Sequence, residues 1–317
     1  MSGWFLGLDT SNYMTSAAAY SREGGMLWER KLLPVAAGQT GLRQSDAVFS
    51  HIKQIPELLE KLLPQLGGNI CGVTVSDRPR DAERSYMPCF LVGETVARSL
   101  AAAFGVPLRR VSHQTGHILA ALYSAGILDW RERRFLAFHV SGGTTEAVLV
   151  EPDTERVLRA ECVAGSLDLK AGQAIDRVGV MLGMDFPAGP ALAALAERSS
   201  RKFKIRPYIR GCDCSLSGIE NQAQNMLRRG EPEEDIARFT IQSVGAALDG
   251  MTSALLDKYG ALPLLYAGGV MANTELRRML GEKYDARFAT PALSGDNACG
   301  VAVGGAILSG EEPVCPL

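Results

Sequence analysis

The chain has 317 residues, 46% of them hydrophobic and 21% charged, with a formal net charge of −2 at pH 7. That balance fits an ordinary globular protein long enough for two domains, and the near-neutral charge gives no overall sign of a nucleic-acid binder. No apolar run approaches the ~20 residues that would span a bilayer, so no membrane association is expected. Seven cysteines, scattered except for Cys212 and Cys214, suit a reducing compartment, and a cytoplasmic location is expected. The Cys212/Cys214 pair is read as packing, because no second cysteine pair or nearby histidine completes a zinc set.

In chain order, Gly3-Trp4-Phe5 enters a strand pattern at once, so no signal peptide is expected. Residues 5–20 form two apolar strands around a short Thr/Ser/Asn turn, the mark of a hairpin. A strand (26–33), a helix (44–63, stopped by Pro64), a strand (70–75) and a helix (88–104) follow. His51 falls on the first of these helices and is expected to face solvent or be satisfied locally. Gly93, Ala97 and Ala101, four apart on the second, predict close helix packing within the lobe or against a partner. Residues 117–122 read as a helix. A second hairpin at 135–150 repeats the first, with Phe5/Phe135, Leu6/Leu136, Ser11/Ser141, Thr15/Thr145 and Ala17/Ala147 in register. After it come a strand (156–162), helices (170–182, 188–198, 218–229, 232–259), a strand (263–266) and helices (273–280, 297–308). The chain therefore reads as a duplicated βββαβα unit. The boundaries drawn from this are an N-terminal lobe of 1–112 plus 292–317 and a C-terminal lobe of 113–291 with helical insertions.

Three groups of residues carry chemistry. His113 and His117, in V-S-H-Q-T-G-H, stand at i, i+4, which puts both imidazoles on one helix face as two metal bonds require. No Glu follows the first histidine, which disfavours a zincin protease. A third, acidic ligand has a home in the loop holding Asp296, which could equally cap the following helix. Ser141-Gly142-Gly143-Thr144 and Ala267-Gly268-Gly269 are turns whose small residues let backbone N–H groups approach an anion, the second opening a helix at Asn273. Asp9 is read either as a partner of metal-bound water or as a stabiliser of its own turn. Lys170 is read as a surface lysine or an anion contact. Finally, Arg198, Arg201, Lys202, Lys204, Arg206 and Arg210 form an acid-free basic run with Phe203 and Tyr208 interleaved. It is either a solvated face or a phosphate-tracking patch.

The order and spacing of these motifs, together with Asp168 to Asp176 (D-L-K-A-G-Q-A-I-D), Leu182 to Pro190 (L-G-M-D-F-P-A-G-P) and Ser215-Leu216-Ser217-Gly218, resemble the TsaD-type (glycoprotease-like) proteins of the actin-like ATPase superfamily. The resemblance runs nearly end to end. It implies an α/β, two-lobed actin-like (ASKHA) fold with a ligand cleft between the hairpin turns. It also implies metal-dependent transfer of a threonylcarbamoyl group from an adenylate to N6 of a tRNA adenosine. By position, His113, His117 and Asp296 would hold iron or zinc. His139, Val140, Ser141, Gly142, Gly143, Asp176, Gly189 and Asn273 would hold ATP or the threonylcarbamoyl-adenylate. A nucleotide ligand, tRNA, and a protein partner or a second copy are the implied partners.

The chain departs from the family pattern mainly in its first lobe. Asn12, Tyr13 and Met14 stand where acids are usual. Val75 to Arg80 replaces a glycine-rich segment, and Thr40 to Ser45 replaces another. Thr144 stands for a His, Leu169 for an acid beside Asp168, and Gln173 for a Glu. Two other functions therefore stay open: a non-catalytic nucleotide-binding paralogue serving as partner or regulatory subunit, and a small-molecule carbamoyl transferase or kinase.

Overall fold

A computed structural model describes residues 3–11, 13–34, 42–290 and 297–316. The chain divides into two compact units. Unit 1 comprises residues 1–133, 151–160 and 292–317, and unit 2 comprises 134–150 and 161–291. The break thus falls after Arg133 and not at 112, because the helix carrying His113 packs within unit 1.

Unit 1 is built on a five-stranded sheet in the order β3-β2-β1-β4-β5, made by β1 (Trp4–Thr10), β2 (Met14–Ser21), β3 (Gly25–Leu32), β4 (Ile70–Arg78) and β5 (Leu108–Ser112). The first three strands form an antiparallel meander, while β4 and β5 continue parallel to β1. Strand alternation assigns β1 to two helical layers. Leu6 and Leu8 join the core under α1 (Gln44–Leu62) and α2 (Phe90–Phe104), with Ile55, Leu58 and Ala97. Gly7, between them, faces α9 (Asn297–Leu308) so closely that a Cβ there would overlap the backbone of Ala298 and Ala302. The small stripe on α2 is used inside the unit: Gly93 donates its N–H to Thr10 Oγ1 at 3.1 Å, and Ala97 and Ala101 are buried. His51 does not face solvent. It is fully buried on α1, with Nδ1 2.8 Å from Thr15 Oγ1, and burial pulls its pKa below the ordinary histidine value.

The second sheet repeats the arrangement with the order β12-β11-β6-β7-β8, made by β6 (Phe135–Val140), β7 (Thr145–Asp153), β8 (Val157–Gly165), β11 (Leu264–Ala267) and β12 (Ala286–Phe288); it belongs to unit 2 except for the stretch 151–160 at the β7–β8 end, which is counted with unit 1. Corresponding strands occupy corresponding places in the two sheets, as duplication requires. The fifth strand of each, β5 and β12, was not legible in the sequence pattern, since both are short. The helices are α4 (Ala171–Met181), α5 (Gly189–Ala196), α6 (Ser217–Arg228), α7 (Glu233–Tyr259) and α8 (Thr274–Lys283), with a small hairpin of β9 (Tyr208–Arg210) and β10 (Asp213–Ser215). Long, largely buried α7 anchors the core, in which Phe138 and Tyr266 stack at 4.6 Å and the Tyr266 hydroxyl meets Thr252 Oγ1 at 2.6 Å. Among the described residues no helix is long and apolar enough to cross a membrane.

The tightest packing in unit 1 is between α9 and α3 (His113–Ser124). A Cβ on Gly300 would overlap the Gly116 carbonyl oxygen and lie 2.6 Å from the Ala120 nitrogen. Both obstacles are backbone and cannot swing aside. We expect Gly300→Ala to cost about 3 kcal/mol, the upper end for overpacking a core, read as a lowered urea midpoint at unchanged m-value.

Candidate functional site

One candidate site sits where α3 begins in unit 1. Ser112 caps that helix, accepting the Thr115 N–H at 3.1 Å, and both hydroxyls bond Asp81 Oδ2, at 3.0 Å from Ser112 and 3.1 Å from Thr115. Gln114 donates its N–H to the Pro79 carbonyl at 3.0 Å. The segment that replaces the family's glycine stretch therefore pins the first turn of α3. On that turn His113 and His117 lie together, ring centroids 4.5 Å apart, as their spacing predicts.

Behind His113 stands Asp9, at the end of β1 and 1% exposed. Its Oδ2 lies 2.8 Å from His113 Nδ1 and accepts from Ser76 Oγ at 2.6 Å and Asn297 Nδ2 at 3.0 Å. Its Oδ1 accepts the Ser11 N–H at 3.0 Å. Asp9 thus stabilises its own turn and also orients the imidazole. Burial alone would raise its pKa, but the His113 charge and the bonds from His113, Ser76 and Asn297 hold the carboxyl well below the usual range. Asn297, first residue of α9, also donates to the His113 carbonyl at 2.9 Å and touches His113 Nδ1. A carboxylate behind one ring nitrogen is the usual support of a metal-binding histidine, leaving the other nitrogen for the ion. The expected third ligand, Asp296, lies outside the described residues. Among the described residues no three His, Cys, Asp or Glu side chains are arranged to hold a metal. What is described fits two histidine ligands and their carboxylate support.

A separate candidate site lies within unit 2, around the β6–β7 turn. Ser141 closes that turn with its own groups: its N–H donates to the Thr144 carbonyl at 2.7 Å, its Oγ accepts the Thr144 N–H at 3.1 Å, and its carbonyl accepts the Gly172 N–H at 3.1 Å. Thr145 Oγ1 accepts the Ala171 N–H at 2.8 Å. The start of α4 is therefore spent on fixing the turn, and the turn's outward face is left to Gly142 and Gly143, where a Cβ would meet nothing within 4 Å. Gly172 is required for this fit, since its Cβ would stand 2.6 Å from Gly142 Cα.

Gly142, Gly172, Asp176, Gly189 and Asn273 line one cavity of about 350 Å³, walled by Ile175, Pro187 and Val270. That is the scale of a small-molecule site. Asp176 Oδ1 accepts the Ala188 N–H at 2.8 Å, which fixes its carboxylate at the rim. Val140 is fully buried, so only its backbone can reach a ligand. The Ala267-Gly268-Gly269 turn does not open α8 directly: a 3₁₀ turn (Gly269–Ala272) intervenes, and Asn273 caps α8 with its own Oδ1, 3.1 Å from the Leu276 N–H. Gly268 is needed there for φ 102° and for its approach to the Val140 carbonyl. His139 lies on β6 opposite Glu146, and Lys170 Nζ donates to the Ser166 carbonyl at 3.0 Å. Asp168 is not in this cavity. It bonds the Leu216 and Ser217 N–H groups ahead of α6, at 2.7 and 3.3 Å.

Residues that spacing could not reveal are Ser76, Asp81, Gly172 and Asn297. Ser76 sits in the segment that departs from the family and Asp81 directly follows it, and Asn297 is brought to His113 only by helix packing.

Residues 39–303 match the family model described as TsaD: tRNA N6-adenosine threonylcarbamoyltransferase. Solved structures with the same fold include component A of the (R)-2-hydroxyglutaryl-CoA dehydratase of Acidaminococcus fermentans (TM-score 0.56, 16% identity, 98% of this chain and 100% of that one). Others are full-length HypF in a phosphate- and nucleotide-bound form (TM-score 0.59, 13% identity, 96% of this chain but 55% of HypF), and a ROK family glucokinase from Streptomyces griseus with glucose and AMPPNP (TM-score 0.52, 13% identity, 96% and 99%). With the family match covering most of its length and two like-ordered sheets beneath it, the chain belongs to the TsaD family and has the actin-like ATPase fold.

Proposed function

We propose that the protein transfers a threonylcarbamoyl group from an adenylate to N6 of a tRNA adenosine. The observation that carries this reading is the unit 2 cavity, in which Gly142, Asp176, Gly189 and Asn273 share one small-molecule space under a turn with an open backbone. The nucleotide named with the HypF and glucokinase structures agrees with it.

In this reading the Gly142 and Gly143 N–H groups meet the adenylate phosphate without a side chain in the way. Asp176 offers its remaining oxygen to a ribose hydroxyl, and Asn273 offers its amide N–H while its oxygen caps α8. By their place in the family pattern His113 and His117, with Asp296, would hold iron or zinc, and such an ion would supply Lewis-acid chemistry. Asp9 keeps the His113 ring in position and its distal nitrogen available. A second reading, a non-catalytic partner subunit, is favoured by the altered segment Val75 to Arg80, where Arg78 pairs with Asp77 at 3.2 Å and with the following Asp81 at 3.1 Å in place of glycine-rich backbone.

Reconstitution with threonylcarbamoyl-adenylate, iron or zinc, and tRNA should yield the modified nucleoside by mass spectrometry. Product absent under every metal condition, with adenylate binding intact, selects the partner-subunit reading. Gly172→Ala should weaken nucleotide binding at least tenfold in calorimetry, since its Cβ displaces the turn.

For Asp9→Asn we expect metal affinity to fall roughly 10–100-fold, as for lost outer-shell partners, and stability to fall by about 3 kcal/mol near neutral pH. The folded carboxyl titrates below its unfolded value, so its stabilisation is complete above the unfolded pKa and fades as pH falls through the folded one. Urea midpoints of wild type and variant should therefore converge in strong acid. A constant gap from pH 7 to pH 2 would contradict the assignment.

A further inference from the structure

The basic run in unit 2 is used by nothing described above. It leads into β9 with its side chains alternating. Phe203, Ile205 and Ile209 pack against the core, while Lys202, Lys204, Arg206 and Tyr208 are exposed. Alternate residues of an extended chain stand about 7 Å apart, so the three cations form an evenly spaced line ending at an aromatic ring that is 61% exposed. Among the described residues none of the three is in an ion pair, whereas Arg201 is occupied by Glu231 at 2.7 Å and Asp235 at 3.2 Å.

The line is held rigid from below. The Phe203 N–H donates to Gln242 Oε1 at 3.1 Å, and its ring meets Phe239 edge-on at 5.5 Å. Arg238 Nε donates to the Arg201 carbonyl at 2.9 Å. Gly250 on α7 leaves room for the segment, since a Cβ there would lie 2.8 Å from Ile209. A strip fixed in advance loses little freedom when it binds.

Beside the strip is a cavity of about 520 Å³ lined by Lys204, Arg206, Tyr208, Phe239, Ser217 and Ser243. Ser243 is 4% exposed and its Oγ has no hydrogen-bond partner. A buried hydroxyl left unpaired at a cavity wall points to a polar group that arrives with a ligand. The one carboxylate in the lining, Asp168, is already bonded by Leu216, Ser217 and the Ser217 hydroxyl, so its charge is absorbed locally.

We infer that this face binds a single-stranded nucleic-acid segment, with phosphates on Lys202, Lys204 and Arg206, a base stacked on Tyr208, and a base edge bonded to Ser243 in the cavity. A small anion alone would have no use for Lys202 or for an exposed ring next to the cations. Repeated charge with an interleaved aromatic is what a strand of phosphates and bases requires. The inference rests on the proposed function only in taking RNA as the probe.

The test is fluorescence anisotropy with a labelled single-stranded RNA of about ten nucleotides, within the usual site size for such surfaces. Saturable binding is expected, with log K falling against log salt at a slope of about −2 for three phosphates. Lys204→Gln with Arg206→Gln should flatten that slope by about 1.4 and weaken binding at least tenfold. Tyr208→Ala should weaken it roughly tenfold at unchanged slope, and Ser243→Ala severalfold. All four positions leave the 350 Å³ cavity untouched, so nucleotide binding should not change. Absent RNA binding at low salt, binding indifferent to these substitutions, or saturation by phenyl phosphate without RNA affinity would each overturn the inference. RNA binding without tRNA modification would instead count against the proposed reaction alone.

Discussion

The packing of α9 on α3 is the constraint from which the rest of unit 1 follows. Gly300 meets the backbone of Gly116 and Ala120 with no room for a methyl group, and Gly7 admits α9 against β1 in the same way. Because three backbones come this close, the end of β1, the first turn of α3 and the first residue of α9 share one small volume. Asp9, His113 and Asn297 are then within hydrogen-bond distance although they come from distant parts of the sequence. Any side chain in the glycine contact would separate the helices, and the carboxylate would lose its imidazole.

Unit 2 solves a different problem by the same means. Its β6–β7 turn must present open backbone, yet a glycine turn is floppy unless something fixes it. Ser141 and Thr145 fix it by bonding back to the turn and to the start of α4, and Gly172 lets the helix approach. The donors of α4 are thereby consumed on structure, which leaves Gly142 and Gly143 for a ligand. A similar economy holds at Asn273, whose oxygen caps α8 at the edge of the cavity.

The departures from the family pattern have a physical counterpart in unit 1. Where a glycine-rich segment is usual, this chain has Val75 to Arg80, whose Pro79 carbonyl accepts the Gln114 N–H, and the Asp81 that follows bonds Ser112 and Thr115, so the start of the histidine helix is clamped. The segment has exchanged backbone openness for rigidity of α3. That exchange keeps the histidine pair in place while altering what the neighbouring loop can offer a ligand.

Periodicity and repetition alone determined much of this protein. The duplicated hairpins gave two like units, and the four-residue spacing gave the His113–His117 pair its common face. Small residues marked both turns, because helix and strand periods and glycine's freedom are local properties. Tertiary structure alone decided which unit owns α3, why His51 is buried, and that Asp9, Ser76 and Asn297 gather behind His113. It also decided that Asp168 belongs to the start of α6 and not to the nucleotide cavity. Such contacts depend on how closely backbones far apart in sequence can approach, and that distance is set by packed volume, which no local pattern encodes.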